Sequence, residues 1–553
     1  MRLIERRIGF VFAIFLLALA IAGVRALWLG VVRADALKRV AATQQKATLT
    51  VPARRGAITD RDGEELAVSK PAMSVAATPY LVRDPLKVSR TIAPLLGRDA
   101  RDVLEDLSRR DTGFVWLARK LPMGPARKLQ TLGIEGLDFV EESTRVYPRR
   151  FLASQVLGFT GTDGVGLAGL EHQHDSELRG RDGKRMLVKD ALGEAIELRD
   201  QRRPRPGDDL RLTIDDRVQE ATEEVLADVG AKWSPKGATA IVMDPRNGEL
   251  LAVANWPRVD ANDVEDAPEW AKQNRAVQAS YEPGSTFKAF TMAGALEDGK
   301  VRPDDVFQLP ATIMVADREI GESHDQSYGT LTASGIIEKS SNVGTIMIGQ
   351  RLEAKRFDYW VRRFGFGKPT GVDLPGEQPG IVLPLEKYSG SSMGNLPIGQ
   401  GEAVTPMQMA AAYAAIANGG ILRPPRVVQA VGGRPTPMPK GRRVLSPRTS
   451  AALRDMLEGV LGPGGTASGA AIEGYALAGK TGTAEKPDPV YGGYSKTKYV
   501  ASFVGFAPAR NPRLLTLVMV DEPQGDIYGG SVAAPAWRDI TSFALNYLRI
   551  PPR

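Results

Sequence analysis

The sequence predicts a mixed α/β (α+β) protein, with an antiparallel sheet flanked by helices, an N-terminal membrane anchor and an extended pedestal domain. Three observations lead to this prediction. An uncharged apolar run lies close to the N-terminus. Short strand and helix patterns alternate up to about residue 209, and two clear hairpin patterns follow, together with helices that carry apolar stripes. With 553 residues the chain is long enough for two or three domains.

The predicted anchor covers residues 1–32. Residues 8–24 form an uncharged apolar run of 17 residues, near the lower length for spanning a bilayer, and the apolar character continues beyond Arg25. Three arginines precede the run, and by the positive-inside rule they keep the N-terminus cytoplasmic. A cleaved signal peptide is the alternative, but Arg25 and Trp28 stand where small residues would mark a cleavage site. We therefore expect an uncleaved single-pass anchor in the cytoplasmic membrane, with the rest of the chain outside.

Residues 33–209 form the predicted pedestal, a domain of the dimerisation type. Alternating charges over 33–46 indicate a helix or stalk, and an Asp-Gly pair at 62–63 marks a hairpin. The region 80–135 is predicted to be mainly helical. No cluster of histidine, cysteine or paired carboxylates indicates chemistry here, so we interpret this part as a folded spacer or docking module. A polar segment rich in Pro and Arg, 202–209, marks its end.

Residues 210–553 are predicted to hold the antiparallel sheet. Two pairs of apolar runs, within 238–253 and 499–520, each flank a turn that contains Pro and Asn, which is typical of a hairpin. A further strand pattern at 210–214 alternates between apolar and polar residues.

Two helices are predicted to pack beside this sheet. Asp215 or Asp216 could cap the first, over 217–229. The last, 535–548, carries an apolar stripe that we interpret as core packing against the sheet, formed by Ile540, Phe543 and Tyr547.

The composition excludes several classes of function. The 72 basic and 65 acidic residues give a charge of +7, which suits an anionic membrane surface or wall polymer, but no basic tract with interleaved aromatics predicts a nucleic-acid partner. There is no cysteine, so disulfides, thiolate metal sites and a thiol nucleophile are excluded. With three histidines and no His-Glu-x-x-His motif, we expect neither a metal site nor a cofactor. A histidine base is also unfavoured, and lysine can take that role.

Ser285 and Lys288 are the strongest candidates for a catalytic pair. They follow a Pro-Gly pair and open an apolar run that ends at Leu296, the pattern of a helix start. Helical residues three positions apart lie on the same face, so the hydroxyl and the amine can act together as nucleophile and base. The helix N-terminus also favours negative charge developing at the serine.

Two motifs downstream distinguish this pair from a second Ser-x-x-Lys at Ser495, which we interpret as part of a solvated loop. Ser340 and Asn342 belong to the one Ser-x-Asn of the sequence, and Lys480 begins its one Lys-Thr-Gly. Their order and wide separation after Ser285 are those of the penicillin-recognising serine acyltransferases. The Lys-Thr-Gly lies just upstream of the C-terminal hairpin, which predicts a strand next to the substrate cleft.

Over most of its length the chain resembles a class B penicillin-binding protein, most closely the division-specific (FtsI-type) or related sporulation-type members. The resemblance implies the penicillin-binding transpeptidase fold for the second half. No glycosyltransferase motif is found upstream, which argues against the bifunctional class A type, whereas a division or an elongation role stays open. The matching segments are 55–63, 169–171, 212–215, 281–285, 399–401, 404–406 and 479–484.

The resemblance implies a peptidoglycan D,D-transpeptidase that cross-links stem peptides and is acylated by β-lactams. Ser285 would attack the carbonyl of the penultimate D-Ala, and an amine on a neighbouring chain would resolve the acyl-enzyme. Lys288 would be the base, because burial and the charge of Lys480 both disfavour its protonated form. Ser340 would relay a proton, and Asn342 would orient Lys288 and hold the substrate backbone.

The remaining expectations concern substrate binding and partners. The hydroxyls of Thr481 and Thr483, with Lys480 behind them, would hold the terminal carboxylate of the substrate, and Gly482 would leave room for a peptide beside the strand. The backbone amides of Ser285 and Thr483 would form an oxyanion hole. The resemblance also implies that the anchor and pedestal contact a SEDS-type glycosyltransferase and other division proteins.

Other functions share the serine and the lysine. A class A β-lactamase needs a glutamate that positions the deacylating water, and no Glu-x-x-Leu-Asn segment follows Ser340. A D,D-carboxypeptidase activity stays open. A β-lactam sensor would usually carry further membrane spans and a cytoplasmic protease motif, neither of which this sequence has, whereas a scaffold role of the first half can coexist with catalysis.

Overall fold

The predicted anchor is a helix in the computed structural model. Helix α1 (Arg2–Leu27) continues as a π-helical turn, Trp28–Val32. Residues 7–27 are long and apolar enough to cross a membrane, as judged by length and composition, and the rest of the described chain buries none of their apolar surface. Residues 34–45, which carry most of the predicted stalk, lie outside the described residues, which are 2–33, 46–189, 195–323, 327–488 and 492–552.

The pedestal is a set of strands with short helices between them. The hairpin predicted at the Asp-Gly pair is confirmed, since β2 and β3 below pair antiparallel. The prediction that residues 80–135 are mainly helical is only partly right, because strand β4 interrupts the helices. Its elements are β1 (Lys46–Val51), β2 (Ile58–Thr59), β3 (Glu65–Ala77), α2 (Pro85–Leu96), α3 (Ala100–Ser108), β4 (Val115–Pro122), α4 (Met123–Thr131), β5 (Leu137–Val146), α5 (Ser154–Leu157), α6 (Gly169–Gln173), α7 (Asp175–Arg179), β6 (Gly183–Lys189) and β7 (Ala195–Arg202).

Strand β4 shows why this helical prediction failed. Val115 and Leu117 are buried while Trp116 between them is 37% exposed, which is the two-residue period of a strand. β4 then pairs with β3, so tertiary pairing decides the conformation of a segment that has no strong strand pattern of its own.

The second half alternates between helices and strands. Its elements are β8 (Leu210–Leu212), α8 (Asp216–Trp233), β9 (Gly237–Met243), β10 (Leu250–Trp256), α9 (Glu269–Lys272), α10 (Arg275–Gln278), α11 (Lys288–Glu297), β11 (Val306–Leu309), β12 (Thr312–Val315), β13 (Arg318–Gly321), β14 (Gly329–Thr332), α12 (Ala333–Lys339), α13 (Asn342–Leu352), α14 (Ala354–Arg363), α15 (Ser392–Asn395), α16 (Pro406–Ala417), β15 (Ile421–Leu422), β16 (Val428–Val431), β17 (Arg434–Pro435), β18 (Arg442–Arg443), α17 (Pro447–Glu458), β19 (Ala478–Pro487), β20 (Tyr494–Ala507), β21 (Leu514–Asp521) and α18 (Gly529–Tyr547).

A five-stranded antiparallel sheet forms the centre of this half, in the order β10–β9–β21–β20–β19. Both predicted hairpins are confirmed as β9–β10 and β20–β21. On one face, Trp537 of α18 lies against Phe503 of β20, with ring centroids 4.9 Å apart. Neighbouring strand residues point to opposite faces, so Ser502 faces the other side. β19 is at the edge of the sheet, and one side of its backbone is therefore open for pairing.

The two predicted helices are present, with one correction. Asp215 caps α8, and its carboxylate accepts hydrogen bonds from the amides of Arg217 and Val218. The predicted core stripe of the last helix holds for Ile540, which is buried, but it is wrong for its two aromatic members. They are about two-fifths exposed and stack on each other with centroids 5.9 Å apart: Phe543 and Tyr547.

A second sheet joins the two halves of the chain. β8 pairs in parallel with β2 of the pedestal and antiparallel with β16 of the second half. The sheet order is β17–β16–β8–β2–β3–β4, with β5 also paired to β3. Backbone hydrogen bonds thus fix the pedestal to the domain that carries the central sheet.

A buried ion cluster holds the pedestal together. Glu171 is fully buried, and its two carboxylate oxygens lie 2.6 Å from Arg55 Nε and 2.6 Å from Arg145 Nε. Arg55 also contacts Asp175 at 2.6 Å and donates to the carbonyl of Glu171. The four charges come from three separate segments of the sequence, around residues 55, 145 and 171–175. A buried charge without its partner is costly, so this cluster specifies how those segments meet.

We predict that Glu171→Ala destabilises the protein by about 3–5 kcal/mol, because it leaves the nearly buried guanidinium of Arg145 without a carboxylate and removes one of the two carboxylates of Arg55. Glu135→Ala removes the same charge from an exposed pair with Arg83 and should cost at most about 1 kcal/mol. Urea denaturation of the full chain, followed by circular dichroism, compares the two variants. Equal shifts in their midpoints would show that the cluster does not hold the pedestal together.

Candidate active site

Ser285 lies in a tight helical turn that a buried aromatic cluster holds in place. The turn, Gly284–Phe287, is a 3₁₀ helix that leads into α11. With about three residues per turn, such a helix places Ser285 and Lys288 one above the other. Phe287 packs against Phe366 with centroids 5.1 Å apart, and Tyr413 donates a hydrogen bond of 2.6 Å to the carbonyl of Thr286. The buried aromatic residues Phe287, Phe366 and Tyr413 thus fix the position of the turn that carries Ser285.

Two glycines allow this turn to press against strand β19. A Cβ on Gly284, whose φ is +53°, would stand 2.8 Å from the carbonyl oxygen of Thr483. A Cβ on Gly482 would stand 2.4 Å from Ser502 Oγ and 2.9 Å from the carbonyl oxygen of Pro283. We expected Gly482 to leave room for a substrate peptide. A Cβ points away from the face of the strand and not along its open edge, so room for a peptide at that edge stays a prediction. The contacts show that the glycine is also needed where the turn meets the strand.

Lys288 is fully buried and hydrogen-bonded to the Ser-x-Asn motif. Its Nζ donates to the carbonyl oxygen of Ser340 at 2.6 Å and to Asn342 Oδ1 at 2.6 Å, and Ser340 Oγ lies 3.4 Å away. Two strong acceptors therefore take two N–H groups of the amine. In the neutral amine the remaining direction carries the lone pair, which a general base needs.

Lys480 approaches the same hydroxyl from the strand side. Its Nζ is fully buried, lies 2.8 Å from Ser340 Oγ and contacts the carbonyl oxygen of Thr481 at 3.2 Å. Burial lowers the pKa of Lys288 to about 7, against an opposing effect of Glu322. Burial, and next the charge of Lys288, hold the pKa of Lys480 well below its usual value. Two amines that share one hydroxyl in a dry site therefore disfavour each other's protonation.

The turn that carries Ser340 has a backbone conformation that few residues adopt. Ser340 has a φ of +59°, between the end of α12 and the start of α13. This left-handed conformation costs of order 1–3 kcal/mol for a residue with a side chain, and it persists where the surroundings hold it. It turns the carbonyl and the hydroxyl of one residue towards the two lysines.

Glu322 holds this turn, and the sequence analysis missed it. Its carboxylate accepts hydrogen bonds from Ser341 Oγ at 2.5 Å and from the amide of Asn342 at 2.6 Å. Glu322 belongs to no motif and lies 20 residues before Asn342, in a segment with no strong periodicity. Only a signal that linked the two segments in space could have found it.

Ser285 faces a cleft of about 700 Å³ that also exposes Ser340, Asn342 and both threonines of the Lys-Thr-Gly-Thr segment. Thr481 Oγ1 lies 3.0 Å from Thr466 Oγ1, a second contact that the sequence did not predict. Lys288 and Lys480 lie beneath the wall of the cleft. The structure thus brings together all the predicted site residues, from 285, 288, 340, 342 and 480–483, around one cleft.

Asn342 and Thr483 already have hydrogen-bond partners within the protein. Asn342 orients Lys288 as expected, but its amide group already donates to the carbonyl of Gly321 at 3.1 Å and to Ser323 Oγ at 3.4 Å. Thr483 Oγ1 accepts a hydrogen bond from the amide of Gly529 at 3.1 Å, which fixes its rotamer at the cleft. Their contacts with substrate stay predictions.

The second Ser-x-x-Lys differs from this arrangement. The prediction of a solvated loop is wrong for Ser495, which is buried in the first part of β20. Its hydroxyl accepts hydrogen bonds from the amides of Thr497 and Lys498, while the side chain of Lys498 is exposed. The pairing of β20 is irregular between Tyr494 and Tyr499, and the buried hydroxyl of Ser495 is held by backbone amides while the amine of Lys498 is in solvent, so the two groups do not share a site.

Sequence comparison agrees with this geometry. The profile of the penicillin binding protein transpeptidase domain matches residues 238–542, and that of the penicillin-binding protein dimerisation domain matches residues 50–212. The chain belongs to the class B penicillin-binding proteins. Within this family it is of the FtsI-like type.

Two curated relatives show how far the similarity extends. Stage V sporulation protein D of Bacillus subtilis is 34% identical over 565 residues, covering 100% of this chain and 87% of the relative. The peptidoglycan D,D-transpeptidase FtsI of Escherichia coli K12 is 33% identical over 544 residues, covering 97% and 91%. Among solved structures, penicillin binding protein 3 of Mycobacterium tuberculosis in complex with aztreonam superposes with a TM-score of 0.72 and 30% identity, covering 91% of this chain and 98% of the other.

We predict two effects of Glu322→Gln on labelling of this penicillin-binding protein by a fluorescent penicillin. The negative charge that raises the pKa of Lys288 is lost, so the acid limb of the pH profile should move to lower pH. One of the two hydrogen bonds to the turn is also lost, so the maximal rate should fall about tenfold.

Glu338→Gln is the matched control, because Glu338 pairs with Lys339 and does not contact the turn. It should leave both the limb and the rate of the native protein unchanged. If the acid limb of Glu322→Gln coincides with that of the native chain, Glu322 does not act on Lys288.

Proposed function

We propose that this class B penicillin-binding protein is a peptidoglycan D,D-transpeptidase that works through a serine acyl-enzyme at Ser285. The observation that carries the proposal is the convergence of two buried amines on one hydroxyl beside a serine that faces a cleft. The names of the E. coli relative and of the Neisseria gonorrhoeae relative, probable peptidoglycan D,D-transpeptidase PenA, support the activity.

Acylation begins at Ser285. The lone pair of neutral Lys288 takes the hydroxyl proton as Oγ attacks the carbonyl carbon of the penultimate D-Ala. The C–N bond to the terminal D-Ala breaks, and the leaving nitrogen receives this proton from Lys288 through the hydroxyl of Ser340, which Lys480 also contacts, so Lys288 is neutral again. The oxyanion would be held by the backbone amides of Ser285 and Thr483, the first of which lies in a rigid 3₁₀ turn.

Cross-linking uses the same proton path in the opposite direction, with the amine of a neighbouring stem peptide in place of the terminal D-Ala. An amino group of a neighbouring stem peptide attacks the ester carbonyl and gives up a proton through the hydroxyl of Ser340 to Lys288, which passes a proton to Ser285 Oγ as the C–O bond breaks. The terminal carboxylate of the donor lies against the hydroxyls of Thr481 and Thr483, near the Lys480 amine. The open edge of β19 lets the stem peptide add as a further strand.

A β-lactam would enter the same path as a substrate with a strained amide. The acyl group stays attached if no residue activates a water at the ester. Two carboxylates line the cleft, and both are engaged: Glu322 accepts hydrogen bonds from Ser341 and Asn342, and Glu485 accepts one from the hydroxyl of Tyr499. This geometry favours a transpeptidase over a β-lactamase.

The relatives support a role in septal wall synthesis. The FtsI-type similarity supports a division role, and an elongation role is the alternative. The single apolar helix supports an anchored protein with a cytoplasmic N-terminus and an extracytoplasmic catalytic domain. The anchor and pedestal would contact a SEDS-type glycosyltransferase and other division proteins. Depletion in cells separates the roles, since filamentation supports division and rounding supports elongation.

We predict that Ser285→Ala abolishes covalent labelling by a fluorescent penicillin, because it removes the hydroxyl that faces the cleft from the turn before α11, one turn ahead of Lys288. Ser495→Ala, in the second Ser-x-x-Lys, should label like the native chain. The adduct of the native chain should last for hours, and decay within seconds would instead indicate a β-lactamase. Equal labelling of the two variants would reject Ser285 as the nucleophile.

We predict that the labelling rate rises with pH through about 7, because burial holds the pKa of Lys288 at that value and only the neutral amine accepts a proton. At about pH 6 the rate should be about a tenth of its plateau, since about one molecule in ten then carries the neutral amine. Stopped-flow labelling at constant ionic strength measures the profile. A rate that stays flat from about pH 5.5 to about pH 8 would exclude Lys288 as the base, because this range extends about one unit or more on each side of its pKa.

A further inference from the structure

A second cavity, of about 510 Å³, opens on the same domain and shares no lining residue with the catalytic cleft. It lies between the end of α14, the start of the loop that follows it, one side of α16 and the β15–β18 ribbon. The lining contains five basic side chains and no carboxylate. The basic residues are Arg362, Lys368, Arg423, Lys440 and Arg442.

These charges are largely uncompensated. In the part of the chain that the structure describes, Arg362 has an ion pair, with Asp358 at 3.0 Å, and the other four have none. Arg442 instead donates to the carbonyl of Arg363 at 2.8 Å, so a backbone oxygen and not a carboxylate holds it at the rim. A concave site lined by one sign of charge focuses its potential and attracts the opposite charge.

Arg423 also lines the cavity, and the protein holds its side chain in place. One of its Nη atoms donates to the carbonyl of Pro439 at 3.2 Å, whereas its Nε is buried and has no hydrogen-bond partner among the described residues. The backbone at Gly441 closes over the side chain, since a Cβ there would stand 2.9 Å from Arg423 Cγ. Packing thus holds Arg423 at the wall of the cavity, and its charge has no carboxylate partner among the described residues.

We propose that this basic cavity binds the phosphate groups of an anionic ligand. A guanidinium fork matches two phosphate oxygens at once, and flexible lysines at Lys368 and Lys440 add charge without fixed geometry. The volume lies within the usual range for small-ligand pockets. Phosphate groups outside the membrane occur on lipid headgroups and in phosphodiester wall polymers, and the chemistry of recognition is the same for both. The site is independent of the acyl-transfer chemistry at Ser285.

Calorimetric titration of the full chain in neutral detergent with sodium pyrophosphate tests the proposal. Binding should be measurable at about 25 mM salt and weaken strongly at about 300 mM, since exposed charges are then screened. The double variant Lys368→Glu/Lys440→Glu should weaken it at least about tenfold. Both side chains are exposed and make no hydrogen bond to the rest of the described chain, so the fold should be retained, which a thermal unfolding curve checks.

Arg448→Glu/Arg510→Glu is the matched control. It makes the same change in net charge, on exposed residues of the same domain that line neither cavity. It should bind pyrophosphate within about twofold of the native chain. Absence of binding at low salt, or equal weakening in both double variants, overturns the proposal. Penicillin labelling should be native in both, so failure here leaves the proposed transpeptidase function untouched.

Displacement of pyrophosphate separates the two sources of phosphate. Poly(glycerol phosphate) that displaces it at a lower phosphate concentration than glycerol phosphate identifies the repeated phosphates of a wall polymer. Equal displacement per phosphate identifies a single group, as on a lipid headgroup. Failure of both to displace it contradicts the proposal, because neither natural form of the ligand would then fit.

Discussion

The site depends on the burial of two amines around one hydroxyl. Lys288 and Lys480 are both fully buried, and both contact Ser340 Oγ. Neither amine can hold a proton as easily as it would in water, and each makes protonation of the other harder. A base is thus available at neutral pH without histidine. Only one of the two needs to be neutral during acylation, and the hydrogen bonds of Lys288 to two oxygens leave its lone pair as the free direction.

Close backbone contacts hold the turn of Ser285 against strand β19. Gly284 and Gly482 let the 3₁₀ turn and the edge strand touch, so no side chain separates Ser285 from the Lys-Thr-Gly segment. The aromatic cluster of Phe287, Phe366 and Tyr413 packs against the turn from the protein interior and prevents it from moving away from the strand. Far from the cleft, the cluster at Glu171 holds the pedestal together, and the pairing of β8 with β2 fixes the pedestal to the domain that carries the site. The pedestal and the domain that carries the site are therefore linked by backbone hydrogen bonds.

Much of this could be predicted because the signals were local. The Ser285 turn, the cap at Asp215 and both hairpins depend on residues close together in sequence. The prediction failed where long-range packing decided the result. Strand β4 pairs with β3, Ser495 joins β20, and the aromatic residues of the last helix meet each other at the surface. Glu322 and Thr466 could not be found, since only the fold brings them to the site.

Glu322 also shows how such a site sets the strength of its base. Burial alone would make Lys288 a weaker base. The negative charge of Glu322 favours the protonated amine and therefore raises the pKa of Lys288 above the value that burial alone would give. A general base works best with a pKa near the working pH, because a lower value weakens proton abstraction and a higher value keeps the amine charged. The same carboxylate holds the strained turn at Ser340 through Ser341 and Asn342. One residue therefore couples the geometry of the proton relay to the basicity of the amine beside it, and a change that loosens the turn must also change the pH at which the serine is activated.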